Sequence, residues 1–427
     1  MDGLVLTVDE RDEMFRGAWE AALGFESLAL TGYFNAGLQV ADVVGQVAQW
    51  RFGGLARVGA LLDFACGYGR VTRFLASGLS PDRVWAADIY ADGVRFVHEQ
   101  FGVHGVPSVL EPTRFTIDRR FDCIVVASLF SHLPESTFCG WLQTLYGLLS
   151  ERGVLVFSVQ DESVMDAGRT MPPEGIAFVA DSESGTLSTT AYGVTFVTEA
   201  FVTRAIATAT EGHKSHRRLP RAFGQAQDVY VVVRGDDEGL ATWDFQFGPQ
   251  GFVDRAGLSA DGTLSLQGWA VDPTPGGAVR SVDVLVNGAE VAGATPSLPR
   301  PDVARHLGDA AHGSCGFHVV SEGAIVRPED VVLVKAVTER GRRVLHCGTV
   351  AETVEFLRLQ PIAEQERRRK VALDRRFDPI LRSRRGLARL PALVAYHYQL
   401  AGIPGLVSAA VRFATRSRQP ARAVRDS

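Results

Sequence analysis

Residues 61 to 75 read Leu-Leu-Asp-Phe-Ala-Cys-Gly-Tyr-Gly-Arg-Val-Thr-Arg-Phe-Leu, and this stretch decides the fold. A short apolar run ends at Asp63, and a turn of small residues follows through Ala65, Cys66, Gly67 and Gly69. A helical spacing then puts Val71, Phe74 and Leu75 on one face. Strand, tight turn and helix in that order form the unit that holds a ligand at the carboxyl edge of a parallel sheet. Nineteen residues after Gly69, a second apolar run, Val84-Trp85-Ala86-Ala87, ends in Asp88. A carboxylate at that place can accept hydrogen bonds from both hydroxyls of a ribose.

Two nucleoside-binding readings compete for these residues. A dinucleotide loop requires Gly-x-Gly-x-x-Gly, because the third glycine lets the helix approach the strand and the helix N-terminus meets a pyrophosphate. Counted from Gly67 and Gly69 the third position is Thr72, and from Ala65 and Gly67 it is Arg70. Neither register fits. Asp63, Ala65, Gly67 and Gly69 do fall in the register of the Asp-x-Gly-x-Gly-x-Gly loop of S-adenosylmethionine-dependent methyltransferases. That ligand carries no phosphate, so the loop needs small residues for close approach of the backbone. Ala65 replaces the first glycine. It permits binding where the local backbone keeps a negative φ and weakens it otherwise.

The chain resembles a bacterial group of class I methyltransferases that read Asp-Phe-Gly-Cys-Gly-x-Gly-Arg at this loop. Phe121 to Pro134 is similar to the group's fourth strand and its exit, Trp141 to Leu149 to the next helix, Glu151 to Phe157 to the fifth strand, and Gln227 to Val233 to the closing strand. The likeness covers about residues 12 to 235. It implies S-adenosylmethionine as cofactor, with Asp63 beneath the loop near the methionine end, Asp88 on the ribose and Ile89 beside the adenine. It further implies Glu111, at the end of the third strand, near the adenine amine, and Ser128, Leu129 and Phe130 beside the sulfonium. N-terminal helices cover the cofactor in this group, and a tyrosine there, here Tyr33, either faces it or packs.

His132 follows the exit of the fourth strand and is the base candidate, since an imidazole near neutral pKa can take a hydroxyl proton. The same residue could instead cap the helix that carries Phe138, Trp141, Leu142 and Leu145. His98 in a helix and His104 in a loop carry less weight. Asp161, Glu162 and Asp166 follow the fifth strand, where solvation is the simpler reading than a metal site. Tyr192-Gly193 precedes a helix expected over 196–207 and supplies a wall for a substrate.

The expected architecture is α/β. A helical cap (1–60) leads into a Rossmann-like, mostly parallel sheet (61–235), a linker (236–250), an all-β sandwich (251–355) and a basic helical tail (356–427). Val154 to Val159 suits a strand buried on both faces. In the β region, Ser281 to Val286 runs straight into Asn287-Gly288, the strongest short hairpin signal. Gly268-Trp269-Ala270-Val271-Asp272, Arg300 to Ala304 and Gly316-Phe317 resemble a module appended to bacterial enzymes that act on cell-envelope glycans. That resemblance implies a glycan or small-molecule acceptor.

At 427 residues, 46% hydrophobic and 22% charged, the chain suits a globular protein of two or three domains. Five scattered cysteines without a Cys-x-x-Cys pair argue against zinc or a disulfide framework and for a reducing compartment. The N-terminus lacks the pattern of a signal peptide, which makes the cytoplasm the expected location. Residues 361–427 hold 15 Arg and Lys against 5 Asp and Glu, while the other 366 residues hold 29 against 44. Within the tail, Leu390 to Val411 lacks charge, but Pro391, Gly402 and Pro404 break it. Contact with an anionic membrane surface fits better than a span; packing on the sandwich or a second subunit is the alternative, which leaves oligomerisation open. No module for nucleic acid is present in the pattern. Two rival functions stand beside the methyltransferase: an inactive docking protein on the same fold, and a nicotinamide-dependent oxidoreductase.

Overall fold

The computed structural model describes residues 3–22, 26–166, 168–181, 187–212, 215–224 and 226–358. Met1–Glu355 form one compact unit and Phe356–Ser427 a second. Nearly all of the basic stretch, including 361–427 and the uncharged run from Leu390 to Val411, lies outside the described residues.

The first part comprises α1 (Glu13–Ala21), α2 (Glu26–Phe52), β1 (Leu61–Phe64), α3 (Thr72–Gly78), β2 (Val84–Asp88), α4 (Ala91–Phe101), β3 (His104–Pro107), β4 (Phe121–Val126), α5 (Glu135–Gly147) and β5 (Leu149–Asp161). It continues with β6 (Ile176–Val179), β7 (Val194–Val197), α6 (Glu199–Ala209), β8 (His216–Phe223) and β9 (Gln227–Val233). The main path is β3-β2-β1-β4-β5, extended by β9 and then β8. Strands β1 to β5 pair in parallel, and β9 alone runs against β5 on this path, so β8 regains the common direction. This is a Rossmann-like sheet. All four residues of β1 are buried, as expected for a strand covered on both faces.

Strand β5 serves two partners. Val154 to Val159 pair with β9, and Gln160 and Asp161 pair with β7, which forms a hairpin with β6. The helix expected over 196–207 therefore begins later. Val194-Thr195-Phe196-Val197 alternates as a strand, and Thr198 stops it and caps α6 by accepting from the Phe201 amide at 3.2 Å. His104 is likewise the first residue of β3 rather than part of a loop, and its ring stacks on Trp85 at 4.5 Å.

The second part is antiparallel. It contains β10 (Gln250–Leu258), β11 (Leu264–Val271), β12 (Ser281–Val286), β13 (Ala289–Ala294), a short α7 (Pro301–Leu307), β14 (Gly316–Val320), β15 (Val331–Val337) and β16 (Arg342–Thr349). A three-stranded sheet runs β10-β11-β14 and a four-stranded sheet β13-β12-β15-β16. Asn287 and Gly288 form the β12–β13 turn with φ of 50° and 84°, as the sequence pair demands. Helix α7 was not foreseen. Pro301 at its first turn and left-handed Gly308 after its end are the signals that mark it.

Helix α2 is shared between the two parts. Its 27 residues are buried on most sides, and one apolar core joins it to Val231 and Val233 of the parallel sheet and to Leu285, Leu333, Val344 and Cys347 of the four-stranded sheet. Asp42 pairs with Arg342 across this contact, and the Cys347 amide donates to Thr31 Oγ1 at 2.8 Å. Residues 236–249 contain no strand or extended helix, yet they are pinned to α2. The Gln46 amide group and the Gln246 backbone bond reciprocally at 2.8 and 3.0 Å, and Trp243 stacks on Trp50 at 5.8 Å.

Candidate active site

A cavity of about 770 Å³ opens at the carboxyl ends of β1, β2 and β4, where an open parallel sheet is expected to take its ligand. Of the residues anticipated from sequence, Asp63, Ala65, Cys66, Gly67, Asp88, Ile89, Glu111, Ser128, Leu129 and His132 line it. Gly69, Phe130 and Tyr33 do not.

The loop after β1 owes its shape to three left-handed residues, each separated by one ordinary residue: Ala65, Gly67 and Gly69, with φ of 62°, 54° and 78°. Ala65 thus has a positive φ, the condition under which an alanine at this place weakens the loop. A side chain there costs about 1 kcal/mol. The turn keeps its shape because the amides of Ala65 and Cys66 both donate to the Ala87 carbonyl, at 2.8 and 3.1 Å. A Cβ on Gly67 would meet nothing within 4 Å, so this position leaves room beside the cavity. Gly69 serves packing instead. A Cβ there would lie 2.3 Å from Phe101 and 2.8 Å from Val97, so its absence lets α4 approach.

Asp88 organises the loop it faces. Its carboxylate accepts from the Gly67 amide at 2.7 Å and from the Tyr90 amide at 2.9 Å. Burial pushes the carboxyl pKa up, and the backbone amides of Tyr90, Gly67 and Ile89 pull against it. These amides leave part of the carboxylate's acceptor capacity free, which suits a diol in the cavity. Asp63 lies 1% exposed beneath the loop and accepts from Thr72 Oγ1 at 2.6 Å. Burial raises it to about 7, against the Thr72 hydrogen bond. The Cys66 thiol is raised by burial, with Asp88 and Asp63 adding to the effect.

Glu111 lines the cavity from a turn, because β3 ends at Pro107 and not at Glu111. Tyr33 is 1% exposed and donates its hydroxyl to Asp12 Oδ2 at 2.6 Å, one layer behind the cavity that Asp12 lines. Phe130 is buried between Phe138 and Phe157, with centroids at 4.7 and 4.8 Å. The chain turns after β4, so Ala127, Ser128 and Leu129 line the cavity and Phe130 enters the core.

The exit of β4 is also strained. Ser128 has φ of 64°, and the Ser158 hydroxyl accepts from its amide at 2.8 Å. Gln227 Oε1 then accepts from Ser158 Oγ at 2.7 Å and from Ser128 Oγ at 3.3 Å. Non-glycine residues held in this region concentrate at functional sites.

His132 is 9% exposed and its ring stacks on Tyr192 at 4.5 Å. Nδ1 lies 2.7 Å from the Gly193 carbonyl. A carbonyl only accepts, so Nδ1 carries the hydrogen and Nε2 is the basic nitrogen of the neutral ring. The ring does not cap α5, whose N-cap is Pro134 without a side-chain bond. The Gly193 amide returns a bond to the His132 carbonyl at 2.9 Å, and the Thr195 amide donates to Ser131 at 2.7 Å. Sequence reasoning missed this stitching, along with Arg11, Asp12 and Met14 of the N-terminal wall and Thr137 and Trp141 of α5. Asp12 carried one signal: it stands where an N-cap belongs, and its Oδ1 accepts from the Met14 amide at 2.9 Å.

Asp161 does not sit in the cavity. It belongs to a charged cluster with Arg218, at 3.0 Å, and Arg218 also pairs with Asp228 at 2.6 Å. Among the described residues no group of three or more His, Cys, Asp and Glu is placed to hold a metal ion. No described helix is long and apolar enough to cross a membrane.

Residues 40–189 match the family described as a methyltransferase domain. Among solved structures, the chain is similar to an S-adenosylmethionine-dependent methyltransferase from Clostridium acetobutylicum, at 14% identity over 46% of this chain and 92% of that one, with a TM-score of 0.34. It is similar to the plantazolicin methyltransferase BpumL in complex with SAH, at 11% identity over 53% and 95% of the two chains and a TM-score of 0.36. A third is the sugar N-methyltransferase KedS8 from Streptoalloteichus, at 17% identity over 46% and 87%, with a TM-score of 0.34. No curated protein matches the chain.

Proposed function

We propose that this chain is an S-adenosylmethionine-dependent methyltransferase that methylates a hydroxyl of a sugar or cell-envelope glycan intermediate in the cytoplasm. The observation that carries the cofactor reading is the pairing of the left-handed loop with Asp88 across the carboxyl edge of the sheet. The residues present fit the group: Gly67 leaves open space, Asp88 keeps acceptor capacity for a ribose, and Ile89, Leu110 and Leu129 offer apolar surface to a base. When bound, the sulfonium supplies an activated methyl, so the protein has to position, shield and deprotonate.

Ser128 and Leu129 hold the wall nearest the strained exit of β4. Leu129, Leu133 and Tyr192 keep water from the reacting oxygen. His132, with its proton fixed on Nδ1, takes the acceptor hydroxyl proton on Nε2 as that oxygen loses electron density. The choice of a glycan acceptor rests on the sequence resemblance of the 268–272, 300–304 and 316–317 segments. The proposal extends to the arginine-rich stretch 361–427 as a contact for anionic lipid, read out by co-sedimentation with phosphatidylglycerol vesicles. A docking protein without turnover is the second reading, and the strained Ala65 favours it.

Calorimetric titration of the full chain with S-adenosylhomocysteine and, separately, with NADH tests the cofactor. Micromolar binding of the first alone is expected. In Asp88→Ala it should weaken roughly a hundredfold, about 3 kcal/mol, for losing a buried charged acceptor. Preference for NADH would overturn the reading.

A further inference from the structure

Arg73 lies 2% exposed on α3, and it forms no ion pair among the described residues. Its Nε donates to the Gly69 carbonyl at 3.1 Å, and its Nη1 donates to the carbonyls of Val5 and Thr7, both at 3.0 Å. The rings of Tyr33, Phe34 and Phe101 surround the guanidinium at 5.5, 5.0 and 5.2 Å. Nη2 has no hydrogen-bond partner among the described residues. A desolvated cation without a counter-charge is costly, and a Met or Leu would fill the same volume without that cost. What an apolar side chain cannot do is hold three carbonyls from two chain segments in a fixed fork.

The two segments are informative. Gly69 closes the loop that lines the cavity. Val5 and Thr7 belong to an extended strap that begins at the four-stranded sheet, where the Gly3 amide donates to the Gly288 carbonyl at 3.3 Å and Leu4 is buried. Gly288 is fitted to it, since a Cβ there would lie 2.2 Å from the Leu4 carbonyl oxygen. The strap ends at Arg11 and Asp12, which line the cavity, and Asp12 starts α1.

We infer that Arg73 is a positioning residue for the cavity: it bolts the strap of residues 4–12 to the glycine loop, so that the β12–β13 turn helps set the ligand-binding wall. This rests on the reading of the cavity as a nucleoside-ligand site. Arg73 touches no ligand itself. It acts through Gly69 on one side and through Arg11 and Asp12 on the other.

The test is titration of S-adenosylhomocysteine into full-length wild type, Arg73→Lys, Arg73→Met and Gly288→Ala, each well below its melting temperature. Val334→Ala, a buried change in β15 away from the strap, serves as a control that lowers stability alone. Kd should rise about tenfold in both Arg73 variants and about threefold in Gly288→Ala, the range expected for remote coupling, and stay at the wild-type value in Val334→Ala. Equal weakening in Val334→Ala, or no weakening in Arg73→Lys, overturns the inference. If wild type binds no S-adenosylhomocysteine, the cofactor reading fails first. Hydrogen exchange of residues 5–14 then decides: Arg73→Lys should exchange faster than wild type, and unchanged rates would sink the bolt.

Discussion

At the β1–β2 edge the cavity is shaped chiefly by backbone: a loop bent by three left-handed residues, two of its amides on one carbonyl, and a carboxylate that ties the loop in place. At the β4 exit it is made of side chains held from far away, with His132 fixed by Gly193 and Ser128 by Ser158 and Gln227. The first end is local in sequence and the second spans up to 99 residues. A wall made of backbone fits any ligand of one shape, whereas a wall of clamped side chains is where specificity and chemistry can vary.

If that division holds, the two ends come apart under mutation. The largest effect is expected from His132→Gln. Loss of a general base lowers kcat by about 10²- to 10⁴-fold, while the Kd for S-adenosylhomocysteine moves little. A shared collapse of kcat and cofactor affinity would instead mean that the ends are one unit. Ser158→Ala is next. Without the hydroxyl that anchors the Ser128 amide, kcat should fall about tenfold, roughly 1.4 kcal/mol, with cofactor affinity again retained.

Asp63 sharpens the comparison through pH. Its folded pKa is raised by burial from an ordinary 3.8 to about 7, so the folded state holds a proton that the unfolded state has released in that window. Stability from this group is therefore full below about 3.8 and is lost progressively as pH rises to about 7. In Asp63→Asn that slope should flatten, as measured by urea unfolding at several pH values. An unchanged slope would assign the titration elsewhere. Smallest of all, Ala65→Gly trades relief of about 1 kcal/mol of strain for a comparable entropy cost. Stability should stay within about 1 kcal/mol of wild type, and cofactor affinity should rise by two- to threefold because the loop gains freedom to close. Weaker binding would show that Ala65 holds the loop better than glycine does.

The same division explains what sequence could reveal. The strand-turn-helix unit at 61–75, Asp88 and the hairpin at Asn287-Gly288 are short-range patterns dictated by φ/ψ and periodicity, and each was legible. Phe130 was misplaced, and Tyr33 was left between facing the cavity and packing, because the direction of a side chain depends on which layer packs behind it. Gly69 had the right spacing but a different reason: it admits α4, which no local pattern could announce. Strand β7 and its stitching to 131–133 could not be read either, since a four-residue alternation before a capping Thr198 looks like the start of a helix until β5 supplies its partner.

Helix α2 carries a consequence for the chain during synthesis. Asp42 is buried with Arg342, a residue 300 positions later. At roughly 5 to 20 residues per second on the ribosome, Asp42 waits about 15 to 60 seconds for its counter-charge, with one face of a largely apolar helix uncovered for as long. A nascent chain in that interval offers chaperones a defined target, and premature termination before β16 leaves a product whose exposed helix invites aggregation and removal by proteases.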